Sequence, residues 1–236
     1  VAVTVDRDSP SGGKLFVDGQ VIYNFDPTGV SGNLVNNDVL RIGQHAAPGD
    51  PSYFPGVIDD VAIYKRALST AEIQSIYNAG SAGKCTTPAT EVCTPAPAGI
   101  VGWWPAETNA TDAVSGANAT LQGNVAYATG EVGQAFSLNS SDAAVVIPAS
   151  AQLDVGNAEG LTVEAWINPT DVSDAHPLFE WNDGNYWGVH FHIAPGQPTA
   201  GSPGPGGPGQ LYANVVDING GWHQLGSSAG AVATGS

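Results

Sequence analysis

The chain has 236 residues, 42% of them hydrophobic and only 12% charged, with 31 Gly and 17 Pro. Asp and Glu number 22 against 6 Lys and Arg, a formal net charge of -16, and such a field repels nucleic acid and anionic membranes, excluding both as partners. No run of 18 apolar residues is present, so no membrane insertion is expected, and the length suits one large β-rich domain.

In chain order, Val1, Val3 and Val5 alternate with Ala2, Thr4 and Asp6, the pattern of a half-buried strand. Strands at 14–17 and 21–25 flank Asp18-Gly19, a hairpin signal because both turn residues tolerate positive φ. A strand at 39–42 and a Pro-rich loop at 44–55 follow. From 57 to 64 apolar residues occupy both alternation sets, so this strand is central, and Asp59 shares its set with Val57, Val61 and Ile63, pointing inward. Ser69 and Glu72 form a capping box that starts a short helix near Thr70; Ile73, Ile76 and Tyr77 share one face and Gly80 ends it.

Residues 83–98 read as a Pro- and Thr-rich linker carrying Cys85 and Cys93. Their spacing lacks the Cys-x-x-Cys pattern of zinc or redox sites; a local disulfide in an oxidising compartment is the preferred reading, two free loop thiols the other. Further strands are expected at 100–104, 135–138, 144–147, 161–168, 177–181, 186–193 and 211–216, with loops at 109–119 and 195–209. Many short strands bounded by turns are the pattern of a jelly-roll sandwich.

Gly-x-Ile-Asp-Asp-Val-x-Ile-Tyr-x-Arg-Ala-Leu-Ser-x-x-Glu-Ile, beginning at Gly56, closely resembles the closing strand and helix of bacterial laminin G-like (LamG) domains of the concanavalin A-like lectin and glucanase superfamily. Leu15 to Gly19, Ile100 to Trp104, Gly133 to Leu138 and Leu161 to Pro169 resemble other family strands. The resemblance implies an all-β fold, a jelly-roll β-sandwich of two antiparallel sheets with one short helix. The motif order is inverted. Residues 1–82 resemble the C-terminal half of such a domain and 99–236 the N-terminal half, together one domain equivalent. The chain is then one period of a tandem-repeat protein or a permuted domain, beginning and ending inside a sandwich.

Two sites are expected. The resemblance implies a structural calcium between Asp59 on the closing strand and the loop after the opening strand, where Asp112 and the Gly116 carbonyl are the matching ligands; the alternative is that Asp59 accepts backbone N–H bonds. Second, Trp181, Asn182, Asp183, Tyr186, His190, His192 and Trp222, with His223 beside them, offer the stacked rings and fixed polar groups that sugars bind through. An ordinary covered sheet face and a His-x-His metal site are the other readings of that set. The Glu-x-Asp-x-x-Glu motif of the superfamily's β-glucanases is missing, leaving only Glu164, Glu180 and Asp183 as scattered acids, so no enzyme is expected.

The expected function is a non-catalytic extracellular LamG-like module, secreted or at the cell surface, that binds a glycan or surface polymer, with neighbouring repeats or copies of itself as further partners. The alternatives are the subunit of an extracellular fibre or sheath built from exchanged half-domains, and a glycoside hydrolase.

Overall fold

The computed structural model describes residues 1–29, 38–45, 50, 52–86, 93–182, 187–196, 206–216 and 222–235. The first half supplies β1 (Ala2–Asp6), β2 (Gly13–Val17), β3 (Gln20–Phe25), β4 (Leu40–Ile42), β5 (Gly56–Tyr64) and the helix α1 (Thr70–Ala79). Two short strands, β6 (Lys84–Cys85) and β7 (Thr94–Pro95), pair in parallel across the Cys85–Cys93 disulfide. The second half supplies β8 (Ile100–Trp104), β9 (Thr120–Gln122), β10 (Val125–Thr129), β11 (Gln134–Leu138), β12 (Ala144–Ile147), β13 (Gly160–Pro169), β14 (His176–Asn182), β15 (Trp187–Ile193), β16 (Leu211–Val216) and β17 (Trp222–Gly226).

These strands make a mostly β sandwich of two antiparallel sheets with one short helix. The eight-stranded sheet runs β10-β11-β5-β13-β1-β2-β3, with β8 added on β5; the seven-stranded sheet runs β17-β16-β15-β14-β4-β12-β9. Both are built from both halves of the chain. β5 lies between β11 and β13, β1 pairs with β13 through Val3 and Val163, and β4 lies between β12 and β14. The halves therefore close on each other within one chain. Between the sheets, Val3, Ile58, Ile63, Trp104 and Phe136 of one meet Leu40, Ile42, Val145, Phe179 and Phe191 of the other.

The inward-pointing Asp59 expected from alternation is corrected by a bulge. Between the pairs Ala62–Glu164 and Asp59–Trp166, β5 has two residues and β13 one. Asp60 takes up the extra residue in the left-handed region, at φ 56°, a conformation Asp tolerates better than most side chains. The phase shifts there. Ile58, Val61 and Ile63 all enter the inter-sheet core, while Asp59 faces the side that carries Trp166 and α1.

On that outer side α1 docks as its pattern requires. Ser69 Oγ accepts the Glu72 N–H and Glu72 Oε2 accepts the Ser69 N–H at 2.8 Å, closing the capping box. Ile73 and Ile76 pack with Phe16, Ala62, Tyr64 and Trp103. Tyr77 remains about one-third exposed and stacks on Trp166 at 5.5 Å.

Residues 83–98 are more than a linker. Lys84 is fully withdrawn from solvent, with Nζ 2.7 Å from Asp60 Oδ2 and 2.9 Å from Glu164 Oε1. Asp60 Oδ1 accepts the Trp103 indole N–H and Glu164 Oε1 accepts the Tyr64 hydroxyl, so both carboxylates are shared between segments distant in sequence.

Candidate functional site

Side chains in the antiparallel sheets alternate between the core and the outside, and in the seven-stranded sheet the outside set is polar. Phe179, Trp181, Val189, Phe191 and Ile193 turn into the core. The residues between them, Glu180, His190 and His192, turn away from it. Register places Arg41, Glu180, His190, Asn214 and Gln224 in one row across β4, β14, β15, β16 and β17. A second row joins His192 to Tyr212, and Gln210 precedes them in the β16 phase.

This face is polar but not wet. Glu180 is 0% exposed, His190 2% and His192 7%. His45, carried just beyond β4, comes over the same face: its Nε2 lies 3.3 Å from Glu180 Oε1, and His190 Nδ1 lies 3.0 Å from that same oxygen. The rings of His45, His190 and His192 stand 5.4 to 6.2 Å apart, centroid to centroid. Burial would raise the Glu180 carboxyl, but the His190 hydrogen bond and the neighbouring imidazoles outweigh it and hold the group below its ordinary range. Burial takes His192 down to about 3, so its imidazole is neutral, and pushes the Tyr212 hydroxyl up to about 12.

Several polar atoms on this face keep unspent hydrogen-bonding capacity. The amide N and O of both Asn214 and Gln210, and Nε2 of His192, have no hydrogen-bond partner among the described residues. Buried amides rarely stay in that state without a bound molecule or ion.

The expected sugar-binding set divides. His190 and His192 lie together on this face. Trp181 is corrected: it shares the phase of Phe179, meets that ring edge-on at 5.1 Å in the core, and presents no stacking surface. His223 sits opposite Val215 at the edge of a small apolar cavity with Phe25 and Leu225. Asp183 and Tyr186 lie outside the described residues, as do the side chains of Asn182 and Trp222. Glu180 belongs to the site although sequence reading weighed it only as a catalytic acid. Its position between Phe179 and Trp181 marks it as outward-facing. His45, Gln210, Tyr212 and Asn214 were missed: His45 sits in a Pro-rich stretch without periodicity, and the amides look like ordinary surface residues.

The expected calcium ligands are not brought together. Asp112 spends both oxygens on its own loop and on β8: Oδ1 accepts the Trp103 and Val114 N–H groups, and Oδ2 the Ser115 and Ala117 N–H groups and the Ser115 hydroxyl. The Gly116 carbonyl accepts the Asn118 N–H. Asp59 instead sits against the turn joining β10 to β11, where Oδ2 accepts the Val132 N–H at 2.9 Å and a Cβ on Gly130 would meet it at 2.4 Å. Asp59 Oδ1 has no hydrogen-bond partner among the described residues. Burial, with Asp60 and Glu107 nearby, raises this carboxyl to about 7. A cleft of about 690 Å³ opens beside it, lined also by Asp18, Asn78, Glu131, Trp166 and Asn168.

Of the carboxylates weighed for catalysis, Asp183 lies outside the described residues, and Glu164 and Glu180 point away from each other. Glu164 lies under α1 on the outer side of the eight-stranded sheet, bound to Lys84, and Glu180 lies on the outer side of the other sheet.

Residues 1–74 match the family model of the concanavalin A-like lectin/glucanases superfamily in its laminin G type. No curated protein and no solved structure matches the chain. No helix is long and apolar enough to cross a membrane among the described residues.

Proposed function

From a chain whose residues 1–74 match the model of the concanavalin A-like lectin/glucanases superfamily, we propose a non-catalytic extracellular module that recognises a glycan or similar polyhydroxylated polymer. The binding surface is the outer face of the seven-stranded sheet. One observation carries this reading: the amides of Asn214 and Gln210 and the His192 imidazole keep unspent donors and acceptors beside the Tyr212 ring. A sugar hydroxyl both donates and accepts, which suits neutral amides, and a neighbouring aromatic ring suits a pyranose face. These atoms are withdrawn from solvent, so a ligand pairs with them only where the face opens to admit it.

Other features support the remaining parts. The separation of Glu164 from Glu180 by the whole sandwich favours binding over hydrolysis, which needs two carboxyl groups flanking one bond. The Cys85–Cys93 disulfide favours an oxidising, extracellular setting. Completion of both sheets within one chain favours a self-contained module over a fibre subunit that exchanges halves. We assign the structural calcium to Asp59 alone of the two expected carboxylates, because Asp59 keeps a ligand oxygen to spare and Asp112 does not.

A glycan array probed with the full chain and with Asn214→Ala tests the reading. Binding to a defined glycan class that the variant loses supports it; no binding by the wild type, or equal binding by both, overturns it.

A further inference from the structure

Three of the five histidines of the chain gather around one carboxylate, drawn from segments distant in sequence. One ligand atom each of His45, Glu180 and His190 lies within 4.8 Å of the other two, and all three residues are buried. The imidazole–carboxylate separations are 3.3 and 3.0 Å. Ligand atoms held tetrahedrally at about 2.0–2.2 Å from a zinc ion are themselves about 3.3 Å apart, so these two separations match edges of such a shell. His192 adds an independent observation: a buried imidazole in ring contact with His45 and His190, with Nε2 lacking a hydrogen-bond partner among the described residues.

We propose that His45, Glu180 and His190 bind a divalent transition ion of the zinc class, with the His192 ring packed beside them. The donor set selects the metal. Imidazole nitrogens with a single carboxylate suit zinc, nickel or copper rather than calcium or magnesium, which take oxygen. The two cysteines are joined to each other and so do not compete. Three protein ligands in a buried setting leave one tetrahedral position for water or another donor. The ion ties the segment after β4 to β14 and β15, fixing the edge of the outer face. The inference stands apart from the glycan reading, since metal binding is measured with the ion alone.

The test uses the full chain, treated with chelator, dialysed and titrated calorimetrically with zinc chloride. One equivalent binds and the melting temperature rises; cobalt in place of zinc gives the visible absorption of a tetrahedral site. Glu180→Gln, His190→Ala and His45→Asn each weaken zinc binding more than about tenfold. His176→Ala and His223→Ala, which alter the histidines outside the cluster, bind as the wild type does. Should the strand variants fold poorly by circular dichroism, His45→Asn lies outside the sheet, and anomalous scattering from zinc-soaked crystals locates the ion directly. The proposal is overturned if the wild type takes up no zinc and its melting temperature does not move. It is equally overturned if binding survives His45→Asn, or if the ion lies elsewhere.

Discussion

Lys84 and Glu164 form an ion pair of 2.9 Å that is withdrawn from solvent and joins the segment between the two halves of the chain to the centre of the eight-stranded sheet. The same ammonium holds Asp60 at the bulge, so one cation compensates two buried acids. Removing one partner of such a set leaves the others charged and unpaired, at a cost of about 3–5 kcal/mol. Lys84→Met is expected to lose that much stability in urea unfolding. Glu164→Gln added to it should recover part of the loss, whereas independent, additive effects would mean that the pair is not coupled.

The capping box supplies a pH dependence. The Arg66 hydrogen bond, with help from Ser69 and against some burial, holds the Glu72 carboxyl down to about 2, below its unfolded value of 4.5. The stabilisation is therefore complete above pH 4.5 and is lost as pH falls toward 2. Solvent screens the Arg66–Glu72 pair, so its contribution to stability is smaller than the shift alone suggests. Glu72→Ala should cost about 1 kcal/mol at pH 7, and its melting temperature should converge on that of the wild type near pH 2. A constant difference across that window would assign the loss to packing instead.

Asp112 organises its loop by accepting four backbone N–H groups and the Ser115 hydroxyl. Asp112→Ala leaves partly buried donors unsatisfied and should cost about 1–3 kcal/mol, with faster amide exchange at Val114, Ser115 and Ala117. Unchanged exchange at those three amides would show that the loop holds without the carboxylate.

Asp59 separates the two carboxylates expected to share calcium. The wild type and Asp112→Asn should both gain melting temperature on addition of calcium, and Asp59→Asn should not. Equal gains in all three would place the ion elsewhere.

Much of the fold is legible in the sequence, because strict periodicity and turn chemistry mark it. The hairpin at Asp18-Gly19, the strands near 144–147 and 211–216, and the helix from Thr70 all carry local signals. Among the missed strands, Thr120–Gln122 is exposed at every residue and Val125–Thr129 is at most half-buried, so both carry weak signals. The bulge at Asp60 escapes because alternation assumes an even pleat, and one left-handed residue reverses it. Lys84 escapes because its partners, Asp60 and Glu164, are 24 and 80 residues away and its surroundings read as linker. Of the candidate site, His190 and His192 are legible as a pair on one face. His45 and the amides of Gln210 and Asn214 join them only through tertiary pairing of strands, which no local pattern records.

The account rests on two half-domains closing within one chain to form the recognition face, and the molar mass in solution tests this most directly. Light scattering over a wide concentration range, with calcium and then with chelator, should give the mass of a single chain, 24.0 kDa, throughout. Large species that grow with concentration would mean that the halves pair between chains, and would contradict the self-contained module in favour of a polymer subunit.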